Sequence, residues 1–182
     1  MKRSIKGIEE EIVHLILVAE LCFDICEATE TVPGRGADFL PFYYNLNYTK
    51  GLINLHSLLL SKEERELSLQ NYLTEFKKAS PGIDISCLEQ EISKIRLPFE
   101  EAFPVKFPLR HKIAAHFDEM FDHTDFTNGY ILPATVPTLV ALCKNLKQVF
   151  LKFTGWASHD YPFSKVLEQS VSIISSLGGE KR

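Results

Sequence analysis

The residues best suited to chemistry cluster at 109–118, which reads LRHKIAAHFD. Arg110, His111 and Lys112 stand in a row, and His116 follows after three further residues. Pro108 precedes them and fits the first turn of a helix, so the spacing predicts a helix over about 108–122. Cations at a helix start oppose the macrodipole and cost a few tenths of a kcal/mol each. The same arrangement suits an anion, because free backbone N–H groups add to the cationic side chains. Arginine offers a planar fork of donors to phosphate. A histidine near its ordinary pKa of about 6.5 can exchange a proton at neutral pH. Ala114 and Ala115 would let a substrate or a second backbone come close. A plainer reading stands beside this one: His116 as a hydrogen-bonded core histidine, and Arg110 as a cap on a neighbouring helix.

Other candidates carry less. His14 lies in a long apolar helix and His56 in a leucine-rich run, so both read as core or edge histidines; His123 and His159 fall in loops. His56, His116 and His123 with a carboxylate would be one way to build a metal site on a helical bundle, but H-E-x-x-H is absent and no metal or other cofactor is expected. Glu63 and Glu66 form a Glu-x-x-Glu pair like that of helical pyrophosphohydrolases. Their partners would have to be Glu100 and Glu101, between Pro98 and Pro104, where a helix is expected to fail. These acids therefore read as a solvated face. Neither a phosphate-binding glycine loop nor a nucleophile elbow occurs. The four cysteines, Cys22, Cys26, Cys87 and Cys143, form no C-x-x-C pair and each sits in an apolar helical context, so all are expected as buried free thiols.

Seven segments must position these groups. The first, about 3–28, has Ile5, Ile8, Ile12, Leu15, Ala19, Cys22 and Cys26 at spacings of three and four, one apolar stripe. TVPGRG at 31–36 breaks it. The second starts at Asp38 as N-cap and runs to about Ser61, with Leu52, Leu55 and Leu59 inward; Gly51 within it implies a close helix contact or a kink. The third, about 61–78, is expected to open with a capping box, Ser61 and Glu64. Asp84 caps the fourth, about 84–97, with Leu88, Ile92 and Ile95 inward. The fifth carries the cationic cluster. The sixth spans about 137–153, and the seventh, about 162–177, has Val166, Ile173, Ile174 and Leu177 as its stripe. No run alternates as a strand would. The fold expected is a single domain over 1–182, an all-α, mostly antiparallel bundle of six to seven helices.

Arg110, a polar residue at 111 and His116 resemble the signature of the HEPN superfamily, all-α domains that include metal-independent ribonucleases. In that signature Arg is followed by Asn, Asp or His, a short spacer and His. Ala115, His116 and Asp118 resemble its frequent Ala-His-x-Asp ending. INLHSLLLSKEERELSLQNYL (53–73) is similar to a helix pair of the abortive-infection-type HEPN domains. The likeness runs in outline over about 50–150, and its specific part is 109–118. It implies RNA cleavage by attack of the ribose 2′-OH on the adjacent phosphorus. His116 would be the acid/base or transition-state donor, Arg110 and Lys112 would hold phosphate, and His111 would orient the site. It also implies a homodimer with two motifs facing one cleft, RNA as substrate, and a protein antitoxin as a further partner. The spacing makes a second chain useful. Arg110 and His116 are six positions apart, about 600° of helical rotation, and so stand about 120° apart around the axis.

Composition bounds these readings. The chain has 182 residues, 45% hydrophobic and 24% charged, enough to bury a full core without disulfide or metal staples. Twenty basic against 24 acidic residues give a formal charge of −4, so nucleic acid can be drawn only by a local basic site. The alternative function is therefore a catalytically silent HEPN-like bundle that binds a partner protein or nucleotide. The N-terminus shows no signal-peptide cleavage pattern, and the run from Ile12 to Phe23 is too short to span a bilayer. A cytoplasmic protein is expected.

Overall fold

The computed structural model describes residues 4–31, 39–62, 67–102, 135–155 and 163–178. They form six helices: α1 Ile5–Thr31, α2 Phe39–Leu60, α3 Leu69–Ala79, α4 Ser86–Ala102, α5 Val136–Thr154 and α6 Phe163–Gly178. No strand occurs among the described residues. The expected all-α bundle is what forms. The fifth predicted segment falls in 103–134 and lies outside the described residues.

α1 is the axis of the assembly. Ile12, Ile16, Ala19, Phe23 and Cys26 recur at spacings of three and four and are all buried. Val13, Cys22 and Ile25 are buried beside them, so the helix is covered on more than one side. It packs against α2, α3, α5 and α6, most extensively against α2 and α5. Gly51 explains the closeness of α1 and α2. A Cβ there would lie 2.6 Å from Phe23 Cζ, so only glycine lets the Phe23 ring lie against the α2 backbone. Farther along, Tyr48 meets Phe23 edge-on at 6.0 Å, and the Cys26 thiol donates to the Tyr44 carbonyl at 3.5 Å. Descending numbers on α1 thus meet ascending numbers on α2: the pair is antiparallel.

α3 starts later than the capping-box reading requires. Ser61 and Lys62 are not helical, and Ser68 is the N-cap, its hydroxyl accepting the Asn71 N–H at 3.3 Å. Leu69, Tyr72 and Leu73 then face inward. Tyr72 and Phe76 pair at 5.8 Å as their spacing predicts. Tyr72 touches Phe150 at 5.3 Å and Phe76 touches Phe153 at 5.2 Å, so α3 and α5 run parallel here, against the expectation for most neighbours.

α4 is also corrected. Asp84 accepts the Ser86 N–H at 2.9 Å and opens the helix, but Pro98 does not end it. The helix continues to Ala102. Pro98 is exposed while Phe99 is 2% exposed, so the last turn is held by packing although the ring removes one backbone donor. α5 presents Val136, Leu139, Val140, Cys143, Leu146 and Phe150 to the core and closes at Gly155, whose φ of 70° is left-handed. On α6 two of the four residues of the predicted stripe do not face inward, and the side chains of the other two, Ile174 and Leu177, lie outside the described residues. Leu167 packs with Leu21, Ile25 and Tyr43, and Ser170 is buried, whereas Val166 and Ile173 are 41% and 58% exposed. No helix among the described residues is long and apolar enough to cross a membrane.

Candidate functional site

Arg110, His111, Lys112 and His116 lie outside the described residues, as do His123, His159, Glu63 and Glu66. The segment that carries the four residues leaves α4 at Ala102 and rejoins the described chain at Thr135, before α5. α4 and α5 pack against each other. Leu88, Ile92 and Phe99 on α4, and Val136, Leu139 and Val140 on α5, are buried members of one core. Both exits of the segment therefore belong to the same packed pair of helices.

Among the described residues an enclosed ionisable cluster lies on the α1–α5 seam. Glu20 is 8% exposed, and both of its carboxylate oxygens accept from Lys147 Nζ, Oε1 at 2.7 Å. This pair is charge-assisted and well enclosed. Asp24, one turn along α1, is half-buried. Burial first, and then the neighbouring Glu20, push its carboxyl above the ordinary 3.8, with Lys144 and Lys147 pulling the other way. Cys22 and Cys143 lie in the same region. Burial pushes the Cys22 thiol up to about 11, and burial followed by the Glu20 and Asp24 charges pushes that of Cys143 higher still. At neutral pH both thiols stay protonated, which makes them poor nucleophiles. The seam is built to hold two helices together.

Other polar features have similar roles. Tyr72 donates to Glu9 Oε1 at 2.8 Å; burial and this acceptor raise its phenol far above 10. The bond joins α3 to α1 beneath the aromatic cluster. Tyr43 donates to Ser170 Oγ at 3.5 Å and ties α2 to α6. Asn54 is 4% exposed, and its Nδ2 has no hydrogen-bond partner among the described residues. A shallow notch of about 310 Å³ lies at the α3–α4 turn, lined in part by Lys77, Ser80, Asp84 and Glu89. Its lysine is already paired with Glu89 at 2.7 Å, and its Asp84 carboxylate accepts from the Ser86 N–H and hydroxyl as the cap of α4.

No set of three or more metal-ligating side chains gathers among the described residues. His14, expected at a core or edge position, is exposed, and His56 is half-buried. Cys22, Cys26 and Cys143 are buried free thiols as expected, but Cys87 is exposed. It occupies the first turn of α4, one position before the inward Leu88, so its side chain turns to solvent. No signal in the cysteine's own context marked that, because the apolar stripe of α4 begins only at Leu88.

Comparison with known proteins leaves the chain by itself: no family model, no curated protein and no solved structure matches it significantly.

Proposed function

We propose that the chain is a metal-independent endoribonuclease of the HEPN type, acting as a homodimer in the cytoplasm in a phage-defence or toxin–antitoxin-like setting. The observation that carries the reading is the row Arg110, His111 and His116 at HEPN spacing in a chain whose described residues fold as an all-α bundle. In this reading His116 transfers the proton of the 2′-OH or of the leaving 5′-oxygen. Arg110, with Lys112, holds the phosphate and meets the charge that builds on it as the 2′-oxygen attacks. His111 orients the site. A second chain brings a second motif to the same cleft, which removes the 120° problem within one helix.

The test is cleavage of RNA by the purified full chain in EDTA, with Arg110→Ala and His116→Ala beside the wild type. Loss of a general acid/base lowers rate by about 10²–10⁴, and loss of an electrostatic donor by about 10²–10³. Both variants should keep the wild-type melting temperature. A large drop in melting temperature in both, with no cleavage by the wild type, would return these residues to a structural role. The formal charge of −4 favours a second reading, a catalytically silent bundle that binds a partner protein or a nucleotide. Under that reading the wild type leaves RNA intact while the variants stay folded.

A further inference from the structure

We infer that the outward face of α5 is a track for the backbone of single-stranded RNA, an inference that rests on the ribonuclease reading above. α5 carries Lys144, Lys147 and Lys152 and no carboxylate along its 19 residues, in a chain whose formal charge is −4. A solvated helix face ordinarily mixes the two signs at spacings of three or four. α3 and α4 do so: Lys78 pairs with Glu75, Lys94 with Glu91, Arg96 with Glu100, and Lys77 crosses to Glu89. α5 has no such partner on its own helix.

Lys147 is turned inward and held by Glu20. Lys144 and Lys152 are exposed and make no ion pair among the described residues. Asp24 across the seam acts on Lys144 only through space. The exposed amide of Gln148 stands midway between the two lysines and that of Asn145 beside it. Lys144, Gln148 and Lys152 recur every four residues, so the row extends about 12 Å along the axis.

The chemistry of the face selects its occupant. A protein partner needs an apolar centre, and between Lys144 and Lys152 every exposed side chain is polar or charged. Cations interleaved with amide donors fit phosphate and ribose oxygens. With no aromatic side chain on the row to stack bases, contact would be with the backbone and indifferent to sequence.

The experiment uses the full chain and a labelled 2′-O-methyl oligoribonucleotide, which the proposed 2′-OH chemistry cannot cut, from 50 to 200 mM salt. Each phosphate contact on a single strand contributes about 0.7 to the salt slope. The double variant Lys144→Gln, Lys152→Gln should therefore flatten log K against log [salt] by about 1.4, or about sevenfold in affinity change over this range. Lys152→Gln alone should give about half the change in slope. The control is Lys77→Gln, Lys78→Gln on α3, which removes the same charge elsewhere. An equal loss in this control, or an unchanged slope in the α5 variant, overturns the inference. If the wild type cuts RNA while the α5 variant binds as it does, the ribonuclease reading survives and the track does not. If the wild type neither binds nor cuts RNA, both fall.

Discussion

Glu20 is a carboxylate that a core helix would reject without a partner, and Lys147 is that partner. Removing one member strands the other: Lys147→Met should cost about 3 kcal/mol, the low end for a buried pair, because Lys147 keeps 29% of its side chain exposed. The double variant Glu20→Met, Lys147→Met should recover most of that loss, since a buried pair exchanged for apolar side chains of similar volume is often neutral or better. Urea denaturation of the single and double variants checks both. Asp24 acts in the opposite sense. Its carboxyl is raised by burial and by Glu20, so the folded state holds its proton more tightly than the unfolded state. Its contribution to stability is full below 3.8, the unfolded value, and is lost as the pH rises through the higher folded value. Asp24→Asn removes this liability. It should melt higher than the wild type at pH 7, and the difference should close as the pH falls below 3.8; a constant difference across that window would show that Asp24 is not the cause.

Two helices owe their form to single backbone features. At Gly51 the α1–α2 contact leaves no room for a methyl group, since Phe23 Cζ lies 2.6 Å from where a Cβ would stand and Phe23 is wholly buried. Gly51→Ala should therefore destabilise despite alanine's better helix propensity, by about 1–3 kcal/mol from overpacking. Adding Phe23→Leu should relieve part of it, which a double-mutant cycle of melting free energies measures. Pro98 presents the reverse case. It is exposed, and the helix passes through it to the buried Phe99. Proline is worse than alanine in a helix interior by about 3 kcal/mol, so Pro98→Ala should raise the melting temperature. A fall would mean that the backbone conformation this proline fixes is needed to seat Phe99.

At the scale of the described bundle, charge is sorted between α1 and α5. α1 holds seven carboxylates against one lysine, while α5 holds three lysines and no carboxylate. Their packing brings opposite charges to one seam and leaves Lys144 and Lys152 facing outward. The ribonuclease reading belongs to this scale, because its site draws on the chain between α4 and α5 and on a second copy. A species that stays monomeric by light scattering at tens of micromolar would remove the composite cleft, although the all-α bundle would stand.

Periodicity alone determined much of this protein. Spacings of three and four marked α1, α2 and α5 to within a few residues, because a helix with one apolar stripe must bury that stripe. Gly51 announced a close contact or a kink, and the packing of Phe23 against it shows that it is the contact. Tertiary structure decided what periodicity could not. It chose Ser68 over Ser61 as the cap of α3, since Leu69 and Tyr72 had to enter the core. It carried α4 past Pro98, since burial of Phe99 outweighs a lost hydrogen bond. It rotated α6 so that Leu167 and Ser170, not Val166 and Ile173, face inward, because Tyr43 and Ile25 on two other helices set the surface it meets. The row of Arg110, His111 and His116 was visible as a pattern of residue types. The geometry that would make it a site depends on contacts between distant parts of the chain, and no local spacing encodes those.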